Sequence, residues 1–214
     1  MKKGFTLAEV LITLGIIGVV AALVMPGLIV KNKEHIRNQQ FKKAYSTVVN
    51  AMNLMQTEFG EFPNCYYRNS VHSGSYITEC QHMYDVLASK MNVIKTCKGS
   101  VHVSGCIPEY NDVPVSGGCN GFSQAKIFSN SWAYVLSDGT IIFTYTGSST
   151  ADMYPLFAMD VNGRKGPNLW GHDIFTFMFD DMGTSTVRLI PGTCAITEKN
   201  GISSQAMFEK VIYK

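Results

Sequence analysis

Residues 4–20 read GFTLAEVLITLGIIGVV, and this apolar stretch decides how the rest of the chain is organised. Between Phe5 and Val30, Glu9 is the only residue with a charged side chain. A carboxylate at the centre of a membrane-spanning helix costs about 2.5–3.5 kcal/mol on a translocon-insertion scale. We therefore expect Glu9 to have a partner that compensates for this cost.

The apolar run is long enough to span a membrane. As a helix, Val10 to Val30 alone reaches about 31 Å, the thickness of a bilayer core. A secretory signal peptide has an apolar region of about 7–15 residues followed by a small-residue cleavage site. The sequence therefore predicts a membrane-spanning helix over residues 5–30, loosened or kinked at Pro26, where a backbone donor is missing. The alternative, a secreted enzyme on a true signal peptide, requires a mature N-terminus beyond Val30.

A second helical pattern occupies residues 31–60. Apolar residues recur at steps of three and four, which is the spacing of one helix face. They are Phe41, Tyr45, Val48, Met52, Met55 and Phe59. We expect one helix from Thr6 to Phe59, ended by Gly60 and Pro63, whose second half packs on a domain.

Residues 61–214 predict an α+β head with an antiparallel β-sheet. A second helix is expected at 79–95, where five apolar residues share a face: Met83, Val86, Leu87, Met91 and Ile94. Residues 131–147 predict a hairpin that turns at Asp138-Gly139. Segments 154–160 and 173–179 predict a second pair of strands, and 186–190 predicts a weaker one. The apolar stripe of the long helix would cover one face of this sheet.

The N-terminus of the chain resembles the prepilin signal of type IV pilins and of type II secretion pseudopilins. The resemblance rests on residues 2–9, KKGFTLAE, a basic leader followed by Gly-Phe and a glutamate at the start of an apolar helix. It implies a leader over residues 1–4, cut between Gly4 and Phe5 by prepilin peptidase, and N-methylation of Phe5. It also implies that Glu9 pairs with the N-terminal amine of a neighbouring subunit during filament assembly.

The resemblance further implies a structural subunit, not an enzyme, whose partners are prepilin peptidase and other pilin or pseudopilin subunits. The protein would cross the inner membrane once, with an extracytoplasmic head, and assemble into a filament in the periplasm or at the cell surface. The alternative is a membrane-tethered minor pilin acting as an adhesin or as a substrate- or DNA-binding module. A net charge of +2 does not indicate nucleic-acid binding.

The topology carries a conflict between two signals. Lys31, Lys33 and Arg37 follow the apolar run, so a plain positive-inside count places the head in the cytoplasm. The cysteines favour the opposite side, and large downstream domains translocate largely regardless of nearby charge. We therefore expect an extracytoplasmic head.

Six cysteines follow the apolar run, and none of them forms the Cys-x-x-Cys spacing of a zinc ribbon. They are Cys65, Cys80, Cys97, Cys106, Cys119 and Cys194. An even number in a loop-rich region behind a membrane segment predicts disulfides in an oxidising compartment. The sequence leaves the connectivity open, with Cys97–Cys106 the favoured local pair because it is the closest in the chain.

The sequence offers no catalytic set, because its histidines lack ligand spacing and no nucleophile or phosphate-binding motif occurs. The only candidate cofactor is calcium, for which Asp160, Asn162 and Asp173 supply oxygen atoms around a glycine-rich bend. Arg164 stands where a calcium loop has another oxygen, and Gly171 stands where the closing glutamate would be. We therefore favour a structural turn over a calcium site.

Overall fold

The computed structural model describes residues 4, 6–60, 81–115, 119–145, 156–180 and 187–214. Four residues named above lie outside these ranges: Phe5, Pro63, Cys65 and Cys80. The chain divides into two compact units, Met1–Gln39 and Gln40–Lys214. The first helix begins in one unit and ends in the other, so its two parts are described separately.

The described residues form four α-helices and six strands, and all but the first part of α1 lie in the second unit. The helices are α1 Leu7–Phe59, α2 Gln81–Ser89, α3 Gln124–Asn130 and α4 Ser204–Val211, with short 3-10 turns at Asn120–Phe122 and Gly163–Lys165. The strands are β1 Val93–Lys98, β2 Trp132–Leu136, β3 Ile141–Thr144, β4 Leu156–Asp160, β5 Ile174–Asp180 and β6 Arg188–Pro191. They form one antiparallel sheet in the order of the chain. The predicted α+β class is confirmed.

In the first unit, α1 exposes apolar side chains around its whole circumference. Leu7 and Leu23 are each 78% exposed, and Val30 is 65% exposed. Among the described residues, α1 is the helix whose length and composition suffice to cross a membrane. The helix continues through Pro26. A proline can be accommodated because it removes a single hydrogen bond from a helix that is otherwise long and regular.

In the second unit, α1 buries the predicted stripe. Phe41, Val48, Met52 and Met55 are at most 2% exposed, whereas Tyr45 and Phe59 are partly buried at the margin of the core. The helix ends at Phe59, and Gly60 follows with φ +75°, the left-handed conformation in which glycine commonly ends a helix. The spacing of the apolar residues therefore located the buried face, and Gly60 located the helix end.

The ring of Phe41 is a central contact of this core. Its centroid lies 5.2 Å from that of Phe175, 5.4 Å from that of Phe177 and 5.3 Å from that of Phe208. These rings belong to β5 and α4, so the side chain of Phe41 joins α1 to two elements that are distant from it in sequence. Edge-to-face and offset pairs of this kind stabilise beyond the area that they bury.

The sheet is apolar on both faces. Alternate residues of the strands, such as Phe157 and Phe177, pack with α1, α2 and α4, while Phe143 and Ala158 point to the other side. Side chains from the segment between Cys97 and Cys119, together with α3, cover that second face. The sequence predicted a cover for one face of the sheet only.

The helix predicted over 79–95 is wrong at its C-terminal end. The helix α2 stops at Ser89, and Val93–Lys98 forms strand β1, with Ile94 67% exposed. The Lys90 N–H group donates to the Leu87 carbonyl at 3.1 Å, which tightens the last turn. Valine, isoleucine and threonine then favour a strand, and pairing with β2 outweighs the local helical spacing.

The hairpin predicted around Asp138-Gly139 is confirmed as β2 and β3. Gly139 has φ +95°, and its N–H group donates to the Leu136 carbonyl at 3.0 Å. The Asp138 carboxylate accepts from the Thr140 N–H group at 3.0 Å and lies 3.0 Å from the ammonium of Lys43. The turn is therefore fixed by its own backbone and by a residue of α1.

Among the described residues, two disulfides lie beside the second face of the sheet. Cys97 is joined to Cys106 with Cα atoms 6.2 Å apart, and Cys119 is joined to Cys194 with Cα atoms 5.6 Å apart. The second bond links positions 75 residues apart. In the chain-entropy description a bond that closes so long a loop restricts the unfolded chain strongly. No cysteine in the described ranges is free.

Replacing Phe41 by alanine should lower the free energy of unfolding by about 3–5 kcal/mol. The shorter side chain loses its contacts with three aromatic rings and leaves a cavity in the core. Leu54→Ala is the matched control, since Leu54 lies on the same helix and is 55% exposed. It should change stability by less than about 0.5 kcal/mol. Urea unfolding of the full chain in detergent, followed by near-ultraviolet circular dichroism, measures both. Equal losses in the two variants would contradict this account of the core.

Candidate functional site

The start of α1 holds Glu9 in a reciprocal pair with Thr6. One carboxylate oxygen of Glu9, Oε2, accepts from the Thr6 backbone N–H and from the Thr6 hydroxyl, both at 2.8 Å. In return the Glu9 N–H group donates to the Thr6 Oγ1 at 3.3 Å. This is a capping box, in which a threonine and a glutamate three residues later satisfy free N–H groups of the first helical turn.

The pair gives Glu9 donors within its own chain, before any second subunit is present. Thr6 is a partner of Glu9 that was not predicted from the sequence, although the Thr-x-x-Glu pattern ahead of an apolar run indicates a capping box. Gly4 is exposed. The Thr6 amide lies beyond the expected cut between Gly4 and Phe5, so cleavage there would leave these three hydrogen bonds intact.

A second candidate site lies in the loop between β4 and β5, where the fold brings Asp160 and Asp173 together. Asp160 is 0% exposed, and its Oδ1 accepts from the N–H groups of Gly163 at 2.7 Å and Asn162 at 3.3 Å. Its Oδ2 accepts from the Tyr110 hydroxyl at 3.3 Å. The two predicted acidic ligands thus lie at the end of β4 and immediately before the start of β5.

Asp173 is 2% exposed and closes the other end of the loop. Its Oδ2 accepts from the Asn168 N–H group at 2.8 Å, and its Oδ1 accepts from the Leu169 N–H group at 2.7 Å. Burial raises the pKa of Asp160 well above its usual range, and the charge of Asp173 adds to this shift. Burial also raises the pKa of Asp173, against the opposing effect of its backbone donors.

The third predicted ligand, Asn162, lies between these carboxylates. Its backbone N–H group donates to Asp160, and its side-chain amide donates to the Gly166 carbonyl at 2.8 Å. Arg164, which stands where a calcium loop has another oxygen, donates to the Gly105 carbonyl at 2.6 Å. In the described part of the chain, no three His, Cys, Asp or Glu side chains form a metal-binding group.

Comparison with known proteins adds one match. Residues 1–25 match the family model described as the prokaryotic N-terminal methylation motif, which is the prepilin-type signal of type IV pilins and pseudopilins. No curated protein and no solved structure matches the chain. The motif and the long apolar helix together support a type IV pilin-like protein. The motif also implies processing by prepilin peptidase and assembly with other pilins.

Thr6→Val should weaken the start of α1 by about 1 kcal/mol, because the variant loses the hydroxyl that caps the helix. Amide hydrogen exchange at Glu9, measured on the full chain in detergent micelles, should accelerate by about fivefold. Thr13→Val is the control, since the Thr13 hydroxyl donates to the Val10 carbonyl inside the helix. Unchanged exchange at Glu9 in Thr6→Val would mean that the capping box contributes nothing.

The raised pKa of Asp160 predicts a pH effect of definite sign. Its contribution to stability is fully present below the unfolded-state pKa of about 3.9 and is lost as pH rises through the raised folded-state pKa. In buffer with a chelator, the melting temperature of the wild type should therefore fall relative to Asp160→Asn as the pH rises above about 4. Asp85→Asn, which removes an exposed carboxylate paired with Lys98, serves as the control. Parallel profiles of melting temperature against pH for the wild type and Asp160→Asn would show that the pKa of Asp160 is not raised.

Proposed function

We propose that the protein is a structural subunit of a type IV pilus or a type II secretion pseudopilus. In this proposal prepilin peptidase cuts between Gly4 and Phe5, and Phe5 is N-methylated. Residues 5–30 first hold the subunit in the inner membrane and later form the core of a filament. The observation that carries the proposal is the match of residues 1–25 to the methylation motif, at the start of an exposed apolar helix.

The exposed surface of α1 is compatible with both the membrane stage and the filament stage of this proposal. Apolar side chains are exposed from Leu7 to Val30 on every side of the helix. Contiguous apolar surface of this size marks a lipid or protein interface. A helix with one stripe would suit a single partner, whereas an apolar helix without a polar face suits lipid and also a bundle of identical helices.

Glu9 supplies the register of assembly in this proposal. Cleavage would create an ammonium on Phe5, the one cation that could accompany Glu9 into apolar surroundings. Opposite charges a few ångströms apart attract strongly in a low dielectric, although desolvation reduces the net gain. A subunit stacked in the wrong register would leave Glu9 with its Thr6 donors alone and would leave the ammonium of its neighbour unpaired.

The disulfides support a head outside the cytoplasm. Both bonds in the described residues join cysteines of the second unit, and disulfides persist in oxidising compartments. The filament would then lie in the periplasm or at the cell surface. The remaining candidate, a membrane-tethered minor pilin that binds a surface, a substrate or DNA, differs in abundance, because a major subunit dominates sheared filaments.

Two variants, Glu9→Val and Glu9→Gln, each expressed as the only copy of the protein, test whether assembly needs the charge of Glu9 or only its hydrogen bonds to Thr6. Both should be inserted and cleaved, because the leader and Gly4 are unchanged; Glu9→Val also removes the membrane cost of about 2.5–3.5 kcal/mol, and Glu9→Gln replaces the charge by a neutral amide. Both should fail to enter filaments, because a neighbouring ammonium would be buried without its counter-charge. The mature mass in membranes and imaging of sheared filaments give the two readouts.

Thr13→Val, which also removes a polar group from the apolar helix, should assemble like the wild type. Normal filaments from Glu9→Gln would show that hydrogen bonding by this residue suffices and that the charge is not required. An uncut N-terminus in the wild-type protein, or one beyond Val30, would overturn the proposed function as a whole.

A further inference from the structure

Three cations follow directly after the apolar run of α1, and the proposed function gives them no role. They are Lys31, Lys33 and Arg37. By the positive-inside count they favour a cytoplasmic head, whereas the disulfides of the second unit favour a head outside the cytoplasm. With the head outside, these charges do not serve to set the orientation of the helix.

The three side chains have no acidic partner within the described part of the chain. Lys31 and Lys33 are exposed and Arg37 is partly exposed. None of them takes part in an ion pair with a described carboxylate. The segment that holds them contains a single acidic residue, Glu34, so it keeps an excess of positive charge.

The position of these residues along α1 corresponds to the headgroup level of a bilayer that the apolar run spans. The helix is continuous from Leu7 to Phe59, so the axial position of each residue follows from the helical rise. At about 1.5 Å per residue, all three cations lie within about 10 Å of Val30, the last apolar residue of the run. The polar region of a bilayer adds about 5–8 Å to each side of its core. Lysine and arginine stems are long enough to bring their charged ends to this level.

The three charges point to different sides of the helix. At about 100° per residue, Lys33 and Arg37 share one side, and Lys31 lies on the opposite side. Apolar surface continues among them, since Val30 is 65% exposed and Ile36 is 47% exposed. A single flat protein surface would reach one side of the helix only, whereas a layer of lipid headgroups surrounds a spanning helix and meets all three cations.

We propose that Lys31, Lys33 and Arg37 form a basic collar that binds anionic phospholipid headgroups at the membrane surface facing the head. Phosphate oxygens accept charge-assisted hydrogen bonds from lysine and, in bidentate form, from arginine. Basic residues next to a membrane span are attracted to anionic lipids over about a Debye length. The proposal rests on the membrane stage of the proposed function and does not depend on cleavage or filament assembly.

The test reconstitutes the full chain in phosphatidylcholine vesicles and measures the lipid held at its span by electron paramagnetic resonance of spin-labelled lipids. Labelled phosphatidylglycerol should bind about fivefold more strongly than labelled phosphatidylcholine, the factor expected for one cation near an anionic surface. The preference should decrease in 1 M salt, where the Debye length falls to about 3 Å. Equal binding of the two lipids by the wild type would overturn the proposal.

Two triple variants test the collar itself. The neutral variant, Lys31→Gln with Lys33→Gln and Arg37→Gln, should reduce the preference for phosphatidylglycerol by at least half. The charge-preserving variant, Lys31→Arg with Lys33→Arg and Arg37→Lys, should retain it. Lys2 and Lys3, on the other side of the span, are the same in every chain, so differences between the chains report the collar alone.

The matched control neutralises three lysines of the second unit that are exposed and lie outside the collar, Lys42, Lys165 and Lys199. Replacing these three by glutamine changes the net charge by the same amount and should leave the lipid preference as in the wild type. An unchanged preference in the neutral collar variant, or an equal loss in this control, would overturn the proposal. The mature mass of the protein in membranes tests the proposed function separately, so loss of the collar alone is distinguishable from loss of the span.

Discussion

The apolar surface of α1 is the constraint on which the rest of the structure depends. Burial of apolar area is the main favourable contribution to folding and association, and the first unit leaves its apolar side chains exposed. Within the second unit the same helix carries a single stripe and serves as one side of a core. A lipid bilayer or a bundle of like helices satisfies the first part, and the sheet satisfies the second.

A polar group in such a helix is tolerable only where its hydrogen bonds are local. Glu9 lies in the first turn, where the N–H groups have no intrahelical acceptor and Thr6 completes a capping box. A cap contributes about 0.5–2 kcal/mol, less than the cost of about 2.5–3.5 kcal/mol for a carboxylate in mid-membrane. The cap alone therefore does not offset the cost of burying the Glu9 carboxylate. A cationic partner for Glu9 would still be stabilising.

The second unit solves a related problem, since its sheet is apolar on both faces. One face packs on α1, α2 and α4, and the other needs a cover that short loop segments provide. The two disulfides tie this cover in place by joining Cys97 to Cys106 and Cys119 to Cys194. The loop with Asp160 and Asp173 begins where strand β4 ends, so its acidic residues are held by the same sheet that the disulfides secure.

The sequence by itself determined what depends on local periodicity and local chemistry. The spacing of apolar residues located α1 and its buried stripe from Phe41 to Phe59, and Asp138-Gly139 located the hairpin turn. Glu9 and the loop residues Asp160, Asn162 and Asp173 were found in the same way, from an unusual charge and a run of oxygen-bearing side chains. The capping partner Thr6 was also within reach of a local pattern.

Tertiary structure alone decided the features that depend on contacts between distant residues. Val93–Lys98 is a strand because β2 supplies its hydrogen bonds, although Met91 and Ile94 continue a helical spacing. Tyr110 meets Asp160 from 50 residues away, and the pairing of Cys119 with Cys194 spans 75. Such contacts leave no periodic signal in the sequence, because their energy comes from burial and hydrogen bonding that exist only once the chain has folded.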